Sequence, residues 1–267
     1  MPGAERATIS ILIPCYNEEA NLTAGCLDRV VSYCTREAPD VVEILVIDDG
    51  SNDRSRDLIA ELAGRAPFVR LLAEPHRGKS GAVIAGIRAA QGAFALFTDM
   101  DQATPIEELA EFRVRIAAGY DVIVGSRAGR AGAPIVRKLM AAGFSALRDA
   151  ILDLGGVRDT QCGFKALRTD VANRIIDRLR VFRPGVRHAH GAAVTAGFDA
   201  ELLFIARRLG ARIIEVPVHW RHVGTRRVDP LRESWRGVRG LLAIRWEDVR
   251  GGYRVEVGSA AGSARSP

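Results

Sequence analysis

Two carboxylates separated by one residue, Asp99 and Asp101, directly follow an apolar stretch at 93–98 that is typical of a buried strand. Charged groups in such a place are costly unless they are paired or bind a metal. At a turn they would converge on one hard divalent cation, such as Mg²⁺ or Mn²⁺, which could also hold a diphosphate. The Asp-x-Asp pattern is common, however, and helix capping before Pro105 is the alternative interpretation.

Polar residues also follow three other apolar stretches that are predicted to be strands, at 14–19, 48–53 and 125–127. In an open parallel sheet, ligands bind beyond the carboxyl ends of the strands, so these residues should gather around the acidic pair. A carboxylate of Asp48 or Asp49 could accept a nucleobase N–H, or cap a turn. Tyr16 could stack on a base or simply pack. Together with the acidic pair, the four strand ends favour a nucleotide site that holds a metal.

The segment His76–Gly81 is predicted to open a helix, where a phosphate would be favoured and Lys79 would add positive charge. It resembles a P-loop only superficially, because Ala73 stands where that motif requires glycine. The Gly-x-Gly-x-x-Gly pattern is also missing after the first strand. The sequence therefore argues against an ordinary NTPase and against a dinucleotide-dependent oxidoreductase.

Apolar stretches and helical patterns alternate, which predicts an α/β fold with a mostly parallel, Rossmann-like sheet and helices on both faces. We expect one domain over 1–230, an amphipathic helical segment over 231–250 and a disordered tail over 251–267. The predicted strands are 8–13, 42–48, 68–73, 93–98, 120–126, 163–167 and 211–218, and the predicted helices are 19–36, 53–64, 80–90, 106–118, 133–154 and 198–209.

The composition is that of a globular chain, and neither a membrane-spanning stretch nor a secretory signal is expected. The four cysteines form no Cys-x-x-Cys pair, which favours a reduced, cytoplasmic protein. Of the net charge of +6, most arises in residues 221–254, which hold nine arginines and four acidic residues. This segment predicts an anionic partner, but no nucleic-acid recognition motif is present. Its helix, with Trp235 and Trp246, could lie in a bilayer interface or pack on the core.

The motifs ISILIPCYNEEANL, VIDDGSNDRS, RGKSGAVIAGIRAAQG, LFTDMDQATP and VGSR resemble those of the family-two glycosyltransferases of the GT-A fold. The later motifs DTQCGFKAL, GFDAELLFIA, EVPVHWRHV and RVDPLRES resemble the dolichyl-phosphate β-glucosyltransferase branch. The resemblance implies an inverting, metal-dependent enzyme that moves glucose from UDP-glucose to a polyprenyl phosphate, bound peripherally on the cytoplasmic face of a membrane. Alternatives are a GDP-mannose donor and a soluble sugar or metabolite acceptor.

By the same resemblance, Asp99 and Asp101 should bind Mg²⁺ or Mn²⁺. The implied donor-binding residues are Pro14, Tyr16, Asn17, Glu18, Asp48, Asp49, Gly50, Ser51, Lys79, Asp99, Met100 and Asp101. The implied catalytic residues are Asp101, Arg127 and Arg137, and the implied acceptor-binding residues are Arg137, Asp159, Gln161 and Lys165.

A phosphate acceptor is already anionic at neutral pH and needs no general base, whereas an alcohol acceptor would need one, such as Asp159, Asp199 or Glu201. Two features depart from the resembled pattern. Gln102 stands where the glucosyltransferase branch often has glycine, and the segment 185–196 has no assigned role.

Overall fold

A computed structural model describes residues 7–127, 143, 147–154, 156–182, 197–221 and 230–254, with the side chains of 230–236 excepted. Within these residues seven strands form one sheet in the order β3-β2-β1-β4-β6-β5-β7. The strands are β1 Ile9–Cys15, β2 Val41–Asp48, β3 Val69–Ala73, β4 Phe94–Phe97, β5 Val122–Ser126, β6 Lys165–Arg168 and β7 Ile213–Pro217.

The sheet is mostly parallel, as the sequence predicts, but β6 runs antiparallel to both of its neighbours. Its first residue, Lys165, pairs with Phe97 near the end of β4 and with Val124 near the end of β5. The loop that precedes β6 therefore lies at the edge of the sheet where β1, β2, β4 and β5 end. In this way one reversed strand brings the 159–164 segment to the predicted ligand edge.

The helices largely match the predicted ones, with three differences. The predicted helix 19–36 is two helices, because Gly25 adopts a left-handed conformation with φ of 74°. The sequence pattern did not predict the helix Thr169–Arg178. Of the predicted helix 133–154, only residues 143 and 147–154 are described, and of these 143 and 147–151 are helical. The helices are α1 Glu19–Thr23, α2 Cys26–Glu37, α3 Ser55–Arg65, α4 Gly78–Ala89, α5 Leu109–Ala117 (preceded by a 3₁₀ turn), α6 Thr169–Arg178, α7 Phe198–Arg208 and α8 Pro230–Val249.

Hydrophobic layers cover both faces of the sheet. Alternate residues of β1 and β2 enter opposite layers, so that Leu12 and Leu45 pack on the α4 side, and Ile11 and Ile44 pack on the α2 side. All four are fully buried. The covered faces explain why the strands read as continuous apolar runs.

The C-terminal end of the described chain corrects one prediction. The tail from residue 251 was expected to be disordered, but residues 251–253 form a turn and Tyr253 is buried. Its hydroxyl donates a 2.6 Å hydrogen bond to Glu201 of α7, while its ring meets Phe204 edge-on. A large aromatic side chain with a buried acceptor holds this turn in place despite the glycines around it. Residues 255–267 lie outside the described part of the chain.

No helix among the described residues is both long and apolar enough to span a bilayer.

Candidate active site

The acidic pair sits on a turn, as required for the two carboxylates to converge. Gln102 adopts a left-handed conformation with φ of 50°, and its Nε2 donates a 2.8 Å hydrogen bond to the Asp99 carbonyl. Asp101 in turn accepts a 3.0 Å bond from the backbone N–H of Ala103. Burial and the nearby Asp99 charge raise the pKa of Asp101 above its usual value, so the two carboxylates interact unfavourably without a cation.

Lys79 reaches this pair from the first turn of α4 and forms an ion pair with Asp99. Burial alone would lower the pKa of Lys79, but the carboxylates of Asp99, Asp199 and Asp101 together outweigh burial and raise it. The ammonium group is also close enough to Asp101 and Asp199 to be influenced by both charges. Lys79 therefore supplies a fixed positive charge beside the acidic turn.

Asp49 determines where α4 begins. Its carboxylate is buried and accepts backbone hydrogen bonds from Arg77, at 2.7 Å, and from Gly78, at 2.8 Å. The capping interpretation of this residue is thus supported, but the capped helix is α4 and not the one that follows in sequence. Because Lys79 comes next in the chain, the Asp49 carboxylate also sets the position of that ammonium group.

The buried Asp48 carboxylate accepts hydrogen bonds from Arg56 and from the N–H of Ser51, so it shapes its own turn. The loop after β1 is joined to this turn by a 3.0 Å bond from the Asn17 N–H to the Ser51 hydroxyl. A second bond, from the Asn52 N–H to the Asn17 side chain, closes the connection. Asn17 itself is left-handed, with φ of 54°. The first two strand ends therefore form one linked rim, as the sequence predicts.

Tyr16 stacks on His76, with ring centroids 4.2 Å apart and planes inclined by 20°. Nδ1 of His76 lies 2.8 Å from an Asp49 carboxylate oxygen, whereas its Nε2 is buried and has no hydrogen-bond partner among the described residues. The sequence pattern predicts His76 only as the start of a phosphate-binding segment. Its stacking on Tyr16 gives this rim of the sheet a second aromatic ring that no local pattern indicated.

Arg127 and Asp159 form a bidentate ion pair, with both guanidinium–carboxylate distances at 2.7 Å. Although burial opposes it, the Arg127 guanidinium holds the pKa of Asp159 below its usual value. The Glu215 carboxylate on β7 accepts hydrogen bonds from the backbone N–H groups of Arg158 and Asp159. Arg127 and Asp159, both of which the resemblance implies as site residues, therefore form an ion pair with each other.

The other implied residues fall in different places. Lys165 is fully buried and donates to the Cys162 carbonyl and to Asp199, so it lies beneath the site. The Met100 side chain belongs to the core, and Gln161 is exposed. Arg137 lies outside the described residues.

Glu201, one of the three possible bases for an alcohol acceptor, is buried. Its carboxylate accepts hydrogen bonds from the three backbone N–H groups of residues 180–182, so its role is structural.

Among the described residues, no cluster of three or more His, Cys, Asp or Glu side chains is arranged to hold a metal. Two converging carboxylates nevertheless fit Mg²⁺ or Mn²⁺, because Mg²⁺ usually takes one or two carboxylates and completes its shell with water and substrate phosphates. Asp99 and Asp101 would hold such an ion.

Solved structures with the same architecture identify the fold of this protein. The structure resembles glucosyl-3-phosphoglycerate synthase from Mycobacterium tuberculosis in complex with phosphoglyceric acid, with a TM-score of 0.62 at 22% identity, over 90% of this chain and 80% of that one. It also resembles mannosyl-3-phosphoglycerate synthase from Rubrobacter xylanophilus, with a TM-score of 0.64 at 18% identity, over 94% of this chain and 77% of that one. At these identities the likeness establishes the GT-A fold alone.

Residues 10–176 match the model of Glycosyl transferase family 2, and the chain belongs to that family. It is 34% identical over 230 residues to dolichyl-phosphate beta-glucosyltransferase ALG5C of Trichomonas vaginalis, covering 80% of this chain but 64% of that protein. It is 28% identical to the Dictyostelium discoideum dolichyl-phosphate beta-glucosyltransferase, over 93% of this chain and 77% of that protein. For the human protein of the same name the figures are 29%, 93% and 78%. The chain thus spans about two thirds to three quarters of the length of these relatives.

Proposed function

We propose that this protein transfers glucose from UDP-glucose to a polyprenyl phosphate, with inversion at the sugar carbon. The observation that carries the proposal is the gathering of Asp49, Lys79, Asp99 and Asp101 at one edge of the sheet, joined by hydrogen bonds and an ion pair. The dolichyl-phosphate glucosyltransferases among its relatives support both the sugar and the type of acceptor.

In this reaction an oxygen of the acceptor phosphate attacks the anomeric carbon from the face opposite the diphosphate. A new carbon–oxygen bond forms as the bond to the diphosphate breaks, and UDP leaves with the electron pair. Asp99 and Asp101 would hold a divalent cation, which would supply positive charge to offset the charge of the leaving diphosphate. Lys79 adds a second positive charge on the same side, held in position by α4 and Asp49. The Tyr16–His76 ring pair and the Asp49 turn would receive the nucleoside.

The carboxylates in the second half of the chain favour a phosphate acceptor over an alcohol acceptor. Asp159 is paired with Arg127, Asp199 with Lys165, and Glu201 with three backbone N–H groups and Tyr253. A general base must be available to take a proton, and these three candidates are occupied. A phosphate nucleophile makes no such demand.

A donor and acceptor screen tests the proposal. Purified protein with Mn²⁺ is offered UDP-glucose or GDP-mannose, together with farnesyl phosphate, 3-phosphoglycerate or a free sugar, and product masses are measured. We expect glucosyl farnesyl phosphate from UDP-glucose. Mannosyl product alone, or transfer only to a soluble acceptor, would overturn the proposal in favour of the corresponding alternative.

The metal assignment has its own test. Asp101→Ala should abolish transfer and weaken Mn²⁺ binding measured by calorimetry in the presence of UDP. Asp177→Ala is the matched control, because Asp177 is an exposed acid on α6 that forms an ion pair with Arg88 on the neighbouring α4. Full activity and unchanged Mn²⁺ affinity in Asp101→Ala would contradict the assignment.

We further propose that the protein binds peripherally to a membrane, on its cytoplasmic side. The two faces of α8 support this binding. One face, with Leu241 and Ile244, is buried against the core, whereas Leu242, Trp246 and Val249 on another face are 53%, 62% and 67% exposed. Residues at these spacings form one stripe along a helix. The flanking arginines would meet anionic headgroups, as in interfacial helices. They are Arg239, Arg245 and Arg250, all exposed.

Flotation with vesicles that contain anionic lipid tests this binding. Trp246→Glu combined with Leu242→Glu should leave the protein in the soluble fraction, because two charges enter the exposed apolar stripe. Val114→Glu is the control, since Val114 is 55% exposed on α5. If the double variant floats as well as the wild-type protein, α8 is not the membrane-binding element.

A further inference from the structure

We propose that Trp220 binds the acceptor, by packing its exposed indole against the isoprenoid chain next to the phosphate. This inference rests on the proposed function and adds to it the residue that distinguishes a lipid phosphate from a soluble one. Its basis is the position of Trp220 between two loops of the site, together with its exposure.

The backbone around Trp220 bridges those loops. After β7, the Val218 N–H donates a 3.0 Å bond to the Ser126 carbonyl, at the end of β5. The Arg221 N–H then donates a 2.8 Å bond to the carbonyl of Ala103, two residues after Asp101. Trp220 therefore lies on the rim of the site, between the Arg127 loop and the acidic turn.

The side chain of Trp220 is directed towards the site by its neighbours. His219 is tied to Glu108 by a 2.6 Å contact, while Val218 is buried. The indole of Trp220 meets the site through Arg127, whose guanidinium lies 5.8 Å from the centre of the ring.

The chemistry of this position suits an amphiphilic ligand. Trp220 is 37% exposed, although a large aromatic ring gains most from burial. The charge of its neighbour Arg127 is already matched by Asp159, so the indole borders a neutral ion pair. An acceptor phosphate directed at the donor near Lys79 and Asp99 would leave its isoprenoid chain to extend across this rim. The indole gives that chain an apolar surface, as in ligand sites that combine apolar walls with a few polar groups.

Acceptor kinetics in detergent solution test the inference. The KM for farnesyl phosphate should rise about tenfold in Trp220→Ala, which corresponds to the lost burial of roughly two methylene-sized groups of the chain. Trp220→Leu should restore most of the affinity, because it retains apolar surface, and the KM for UDP-glucose should change less than about twofold. Val114→Ala, at an exposed position on α5, is the matched control.

The outcomes separate this inference from the proposed function. Wild-type protein that transfers glucose to no polyprenyl phosphate would refute both. Transfer by the wild type with an unchanged farnesyl phosphate KM in Trp220→Ala would refute the inference alone. A rise confined to the UDP-glucose KM, not restored by leucine, would assign the indole to the donor sugar and overturn the inference as well. As a direct binding readout, farnesyl phosphate should shift the tryptophan emission to shorter wavelength in the wild type more than in Trp220→Phe.

Discussion

Gly163 packs against the carboxylate of Asp99 so closely that no side chain could stand between them. A Cβ atom at Gly163 would lie 2.7 Å from Cγ of Asp99 and closer still to Oδ2. Real Cβ atoms do not approach other atoms to such a distance. Because β6 runs antiparallel to β4, the loop before β6 meets the end of β4, and glycine is the residue that lets this loop pass beside the acidic turn.

Gly163→Ala should therefore damage activity far more than stability. The added methyl group meets the end of a side chain, so the Asp99 carboxylate can rotate away while the fold persists. We expect about a hundredfold loss of transfer, as for other displacements of reacting groups by about 1 Å. Steady-state kinetics and thermal unfolding measure the two effects. Gly64→Ala is the control, because this glycine in α3 has open space around it and alanine favours a helix by about 0.5–1 kcal/mol. Equal activity of both variants would show that the contact does not position Asp99.

Replacement of Gln102 tests the backbone strain beside Asp99. Both Gln102→Gly and Gln102→Ala lose the 2.8 Å side-chain bond to the Asp99 carbonyl, but only glycine relieves the left-handed conformation. We expect the alanine variant to unfold with a free energy about 1 kcal/mol lower than that of the glycine variant. Urea denaturation measures the difference. If alanine is the more stable of the two, the strain is absent.

The buried Glu201 carboxylate should be a major source of stability. It accepts backbone bonds of 2.6 Å from Arg180, 2.9 Å from Val181 and 2.9 Å from Phe182, as well as the Tyr253 hydroxyl. Glu201→Gln would direct an amide N–H₂ at one of these donors, which should cost about 2–3 kcal/mol. Tyr253→Phe should cost less, because it leaves the remaining donors satisfied. Chemical denaturation measures both.

Glu111→Gln is the control for this comparison, since Glu111 is an exposed carboxylate on α5 and should change stability by less than about 0.5 kcal/mol. A Tyr253→Phe variant that is more destabilised than Glu201→Gln would contradict the assignment of the carboxylate as the centre of the network.

The Arg127–Asp159 pair should give stability a defined pH dependence. The native pKa of Asp159 is lowered by Arg127, so the carboxylate stabilises the fold fully above its unfolded pKa of about 3.9. This contribution is lost as the pH falls through the native pKa. Asp159→Asn should therefore cost about 1–3 kcal/mol between about pH 5 and 8, and progressively less in more acidic solution. Urea unfolding of both proteins across the pH range measures this, and a constant difference down to about pH 2 would exclude the pair as its cause.

The sequence alone determined the alternation of strands and helices, the family and the edge at which the polar motifs meet. These depend on local patterns, namely apolar runs of strand length and turn residues directly after them. The short amphipathic helix α6 was missed, although Val171, Ala172 and Ile175 mark its buried face at helical spacing. The two interpretations of the C-terminal helix also stayed open, because a sequence pattern does not tell which apolar face meets the core.

Only the tertiary structure decided which charged groups meet. Asp49 holds the start of α4, Gly163 lies beside Asp99, and Arg127 pairs with Asp159, although these partners are 29, 64 and 32 residues apart. Their proximity follows from the order of the strands and from the reversed direction of β6, which no local periodicity records. The sequence could name the residues that border the ligand edge. It could not say which of these residues contact one another and which are directed at a substrate. Those contacts exist only once the sheet has formed.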